Sequence, residues 1–170
     1  MINANKKIRS LLFKHSPAIL LFVSILSEID FNNTEFKYFS FNFAYILIFY
    51  YSLKRDGGIG YILIFIAGLF NDVVSGIPMG ISSLCYLLLC VFAVYLRNIT
   101  LRPNLIKDWI TFLISILVLN TITFTFLFWF YDYEINYVNQ LLNTIFTFLL
   151  FFIFSNLFKV YDEVMLGQLK

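Results

Sequence analysis

Six apolar runs, each bounded by charged or turn-forming residues, divide the chain at about 16–29, 38–53, 59–72, 79–96, 109–131 and 139–158. Runs of this kind, repeated from one end of a chain to the other, constrain the fold more than any other feature. A membrane-spanning helix needs about 20 largely apolar residues, so 170 residues hold at most six or seven spans with short connections and no separate soluble domain. A soluble domain is roughly 45–50% apolar and about 25% charged, whereas this chain is 61% hydrophobic and 13% charged. Its mean hydropathy of +0.84 and formal charge of +2 also exclude a disordered tail, which needs low hydrophobicity and high net charge. The expectation is an all-α integral membrane protein, one polytopic domain over residues 1–170.

Basic residues give the orientation. The third run is short, because Ile59 to Phe70 is only twelve uncharged residues. If it crosses and the N-terminus is cytoplasmic, eleven of the twelve basic residues fall inside and only Lys37 outside. If it is re-entrant, they divide six to six. The positive-inside rule favours six crossings with both termini in the cytoplasm. The outer connections are then acidic, with Glu28, Asp30 and Glu35 in the first and Asp132 and Glu134 in the last. Lys54-Arg55-Asp56-Gly57-Gly58 reads as a tight inner turn joining helices two and three into an antiparallel hairpin.

Two stretches are expected to lie on the membrane. Residues 6–14 mix Ile8, Leu11, Leu12 and Phe13 with four cations, suiting an anionic cytoplasmic surface or serving as a topology signal. After Lys159, the residues Val160, Val164 and Met165 share a helical face with Asp162 and Glu163 opposite, as in an amphipathic tail or a fraying helix end. The 22 Phe and 11 Tyr match an AT-rich coding bias, and they read as lipid-facing or packing residues.

Catalytic and metal chemistry find few components. Cys85 and Cys90 are five residues apart, on different sides of a helix, and match no C-x-x-C motif. His15 is the single histidine, and a metal site needs three or four ligands. Acid–base or nucleophilic catalysis needs paired groups, and no second titratable side chain stands near Asp72 in the apolar runs. The chain reads as neither an enzyme nor a metalloprotein, with no cofactor, and its medium is a lipid bilayer, with no nucleic-acid partner.

One stretch carries a signature. Gly68-Leu69-Phe70-Asn71-Asp72-Val73-Val74-Ser75-Gly76-Ile77-Pro78-Met79-Gly80 holds three of the seven glycines, one of the three prolines and an isolated carboxylate. From Ile59, Asp72 lies about 20 Å along a helix at 1.5 Å per residue, inside a hydrocarbon core of about 30 Å. A carboxylate there needs compensation. Helix four, starting near Pro78 at its first position, offers free N–H groups and the positive end of its dipole. Two readings stand side by side. In one, Asp72 and Ser75 cap helix ends while Gly76 and Gly80 allow the turn and close packing. In the other, the turn is a polar cup for a ligand or a partner's helix. Asn, which keeps a carbonyl acceptor, is expected to replace Asp72 with little loss of fold.

The pattern G-L-x-x-D-x-x-S-G-x-P-x-G, between a Tyr-rich helix ending Lys-Arg and a long apolar helix ending Leu-Arg-Asn, resembles the bacterial rod shape-determining protein MreD family. The resemblance extends through helix order, length and the aromatic span from Trp109 to Trp129. Its motif positions here are Gly68, Asp72, Gly76, Pro78 and Gly80, with Met79 where Leu is common. The resemblance implies a non-enzymatic inner-membrane component of the cell-wall elongation complex. It would work beside MreC, MreB and the peptidoglycan polymerase and transpeptidase. It also implies a fold like the six-helix S-components of vitamin transporters, so a small-solute-binding protein is the alternative. The other polar residues of the spans, Ser24, Asn42, Ser83, Asn120, Thr121, Thr123, Asn143 and Thr147, read as interhelical hydrogen-bonding groups.

Overall fold

A computed structural model describes residues 15–26, 41–54, 59–100, 104–131 and 137–169, with side chains to Val164. Among these every regular element is a helix: α1 (His15–Leu26), α2 (Phe43–Leu53), α3 (Tyr61–Ser75), α4 (Ile81–Ile99), α5 (Leu105–Tyr131) and α6 (Tyr137–Leu169). α4, α5 and α6 are long and apolar enough to cross a membrane, while α1 to α3 are shorter apolar helices. Residues 6–14, both acidic connections and the turn after Lys54 lie outside the described residues.

α2 is the centre of the bundle. Ala44 to Ser52 are all buried, and Ile46, Leu47, Ile48 and Phe49 have no exposed surface. A helix that is apolar on every side finds its minimum surrounded by other helices, which is where this one sits. α4 and α6 pack on it, and the Phe49 ring meets Phe112 of α5 at 5.0 Å and Phe151 of α6 at 5.7 Å. Asn42 starts α2 by accepting the Tyr45 N–H at its side-chain oxygen, 3.1 Å. Its own N–H donates to Thr147 Oγ1 of α6 at 2.9 Å.

α2 and α3 do not form the expected hairpin pair. Each packs mainly on α4, which also contacts α5. The reason lies in side-chain size, because α3 presents Gly68 to Ser83 at the start of α4, and small residues let two backbones approach closely. A Cβ built on Gly68 would stand within 3.0 Å of the Ser83 Cα, N and Oγ. The Ser83 hydroxyl donates to the Phe65 carbonyl at 3.0 Å and closes the contact. α1 adds Leu21 and Ile25 to the core, with the Phe22 ring edge-on to Phe70 of α3.

The last helix departs most from expectation. α6 runs as one helix through Leu169, 33 residues or about 50 Å, with no end near residue 158. Asp162 is turned inward and is 6% exposed, while Val160 and Val164 face out. The expected amphipathic orientation is thus reversed at Asp162, while Glu163 stays exposed. The cause is an ion pair: Asp162 receives the Lys54 ammonium at the C-terminal end of α2 and faces the Tyr50 hydroxyl at 3.4 Å. Arg97 of α4 donates to the Ser52 and Lys54 carbonyls at 3.2 and 3.3 Å, capping the same end of α2.

Candidate functional site

α3 ends where Gly76 takes the left-handed conformation, φ 65°, and its N–H bonds the Asp72 carbonyl. The Ile77 N–H shares that carbonyl at 3.2 Å. The chain then passes Pro78 and Met79 to Gly80, whose φ of 103° is a second left-handed position. Both positions are strained for a residue bearing a Cβ. α4 begins at Ile81, three residues past Pro78, so Pro78 belongs to the turn and does not occupy the first helical position. The residue preceding the helix is Gly80, whose conformation the helix cannot include.

Asp72 organises this turn. Its side chain is completely buried. Oδ2 accepts the Gly80 N–H at 2.6 Å and Oδ1 accepts the Ser82 N–H at 2.8 Å. A carboxylate on the last turn of α3 therefore caps the first turn of α4, where free N–H groups and the helix dipole favour an anion. Because both oxygens accept, Asn is not equivalent at position 72, since its NH₂ would face an N–H donor. This revises the expectation drawn from the carbonyl alone. Ser75 is exposed on the outer side of α3 and takes no part in the cap. The structure thus brings together Gly68, Asp72, Gly76 and Gly80, with Pro78 in the connecting turn and Ser75 apart from them.

Beside the cap, at the end of the bundle where α2 and α6 start and α3 and α5 finish, lies a cavity of about 250 Å³. Its polar lining comes from residues on five helices or their caps, and Asp72 is not part of it. Asn71 donates from Nδ2 to Ser82 Oγ at 3.0 Å, while its Oδ1 is buried without a partner. Asn120 of α5 donates to Thr144 of α6 at 2.8 Å, and Thr123 meets Cys85 at 3.0 Å. The interhelical role expected of Asn42, Ser83, Asn120, Thr123 and Thr147 is visible in these contacts. Ser24 and Thr121 also bond carbonyls of their own helices. Asn71, Ser82, Gln140 and Thr144 escaped the sequence reading, although the adjacency of Asn71 to Asp72 was a usable signal. The other end of the bundle carries a wider cleft of about 1520 Å³ with Lys54, Arg97, Asp108, Lys159 and Glu163 in its walls.

The family description "rod shape-determining protein MreD" matches residues 9–161, which take in α1 to α5 whole and most of α6. The chain belongs to the MreD family. No curated protein and no solved structure gives a significant match. Membership of the MreD family gives the chain a role in rod shape determination, in association with the membrane and the shape-determining machinery. The matched range contains the Asp72 cap, its glycines and the cavity beside it, while Asp162 lies one residue beyond.

Proposed function

We propose that this MreD-family chain is a non-enzymatic scaffold of the cell-wall elongation complex, a single six-span domain of the bacterial inner membrane with both termini in the cytoplasm. The observation that carries the reading is the family match over residues 9–161. A rigid core and extensive apolar flanks support it. Gly68, Ser83 and the Asp72 cap lock α3 to α4, whereas α5 and α6 leave large apolar side chains such as Phe128, Trp129, Leu149 and Ile153 exposed. Those flanks offer surface to lipid and to a partner's membrane helix, with van der Waals packing as the main attraction. The partners are MreC, MreB and the peptidoglycan polymerase and transpeptidase. The six-helix plan is read as like that of vitamin-transporter S-components.

Orientation follows from charge. With Lys54, Arg97, Lys107 and Lys159 at one end of the bundle, that end faces the cytoplasm and its anionic lipids. The Asp72 cap then lies in the outer half of the membrane. The test is site-specific photocrosslinking from positions 128, 149 and 153 in membranes of a rod-shaped host expressing the full chain, followed by identification of the adducts. Adducts with MreC or the elongation polymerase are expected. Crosslinks to lipid alone from all these positions would remove the scaffold reading for this face.

A further inference from the structure

The cavity beside the Asp72 cap has chemistry that the turn does not use. Five carboxamides line it, and three of them, Asn71, Asn120 and Gln140, come from α3, α5 and α6. Each retains capacity. Asn71 is 7% exposed, and one end of its amide bonds Ser82 while Oδ1 has no partner. Asn120 spends Nδ2 on Thr144, leaving Oδ1, and among the described residues no side-chain hydrogen bond engages Gln140. Buried polar groups are normally paired. The buried, unpartnered Oδ1 of Asn71 therefore points to something that completes it, and the part-buried Asn120 and Gln140 offer further donors and acceptors on the same cavity.

The lining also defines what that is. No Asp, Glu, Lys, Arg or His lines the cavity among the described residues, so an ionic ligand would meet no countercharge among the lining side chains. Carboxamides both donate and accept, and Tyr45, Ile116 and Phe124 supply apolar walls. A volume of about 250 Å³ far exceeds the roughly 10–15 Å³ that one water requires and approaches the lower range of small-molecule pockets. We infer that this cavity is a binding site for a small neutral molecule bearing hydroxyl or amide groups, no larger than a monosaccharide. Binding would join α3, α5 and α6 through one molecule and stiffen the end of the bundle that carries the cap.

Full-length protein in lipid nanodiscs would be titrated with N-acetylglucosamine, and with erythritol as a smaller neutral probe, following the thermal unfolding midpoint. Glucosamine, which is cationic, and glucuronate, which is anionic, serve as charged controls. The expected result is a saturable rise with at least one neutral probe and none with the charged sugars. Asn71→Leu and Gln140→Leu should each raise the half-saturating concentration by about tenfold. Gln140→Leu removes an amide that holds no helix in place, so its unliganded midpoint should match the parent and keep the test independent of folding. The inference is overturned by the absence of a shift with both neutral probes, by equal shifts with the charged sugars, or by undiminished binding in Gln140→Leu. A density map showing only ordered water in the cavity at saturating probe would overturn it as well. The readout is binding and not cell width, so failure here leaves the shape-determining reading standing.

Discussion

Replacing Asp72 tests the turn most sharply, because its two oxygens make two separable contributions. Each accepts a backbone N–H in a site with no exposed surface, and hydrogen bonds to a charged group contribute about 1.5–3 kcal/mol each. Asp72→Leu removes both and leaves the Gly80 and Ser82 donors unpaired, a loss of about 3–6 kcal/mol. That is a large part of the roughly 5–15 kcal/mol by which a domain is stable. Asp72→Asn retains one acceptor and sets a donor against a donor, so the loss is about half as large. For a chain of this size, 1 kcal/mol moves an unfolding midpoint by roughly 2–4 °C. The Leu variant should therefore melt at least about 6 °C lower, with Asn between it and the parent. The assay is fluorescence-detected size exclusion of a tagged full chain after heating in mild detergent. Ser75→Ala, exposed and outside the cap, is the control and should stay within about 0.5 kcal/mol of the parent. A Leu variant that melts with the parent would refute the capping argument. An Asn variant as unstable as Leu would refute the division between the two oxygens.

Other contacts make further predictions. Gly68→Ala pushes a methyl group into the Ser83 backbone and should cost about 1–3 kcal/mol as overpacking, seen in the same melting assay; a neutral result would mean that α3 and α4 separate freely. Lys54→Met strands Asp162, whose side chain is 8% exposed, whereas Asp162→Leu strands a lysine that is 37% exposed. The first should therefore destabilise more than the second, by about 1–2 kcal/mol after allowing for solvent at Lys54, and the double variant should resemble Asp162→Leu; equal single losses that add would contradict this. Reporter fusions after Lys170 and within residues 97–107 should read cytoplasmic, and those near Asn33 and Glu134 external. An external signal at 97–107 would mean that α3 does not cross.

The helical class and the turn were legible because their determinants are local. Apolar runs of set length announce helices, and an Asp followed by two glycines that flank a Pro announces a turn whose left-handed positions Gly76 and Gly80 occupy. What the chain packs against was less legible. α2 is apolar on all sides, so its sequence gives no facing direction, and its central place arises from the helices that pack on it, α4, α5 and α6. The hairpin expected of α2 and α3 assumed that neighbours in sequence pack together, whereas Gly68 and Ser83 draw α3 to α4. Asp162 misled for a related reason. Four residues past an apolar run, a carboxylate reads as solvated, and only the fold brings Lys54 to it across 108 positions. The cavity was half visible: Asn120, Thr123 and Asn143 stand out within apolar runs, but their convergence with Asn71 and Gln140 depends on helix packing.

The central claim, that this MreD-family chain maintains rod shape as a membrane scaffold, is tested most directly by cell width after depletion in its own rod-shaped host. Depletion should give wide or rounded cells that still divide, and restoring the parent chain should return the rod. Asp72→Leu should fail to restore it in proportion to its reduced membrane level, while Ser75→Ala should succeed. Unchanged width after complete depletion would contradict the claim.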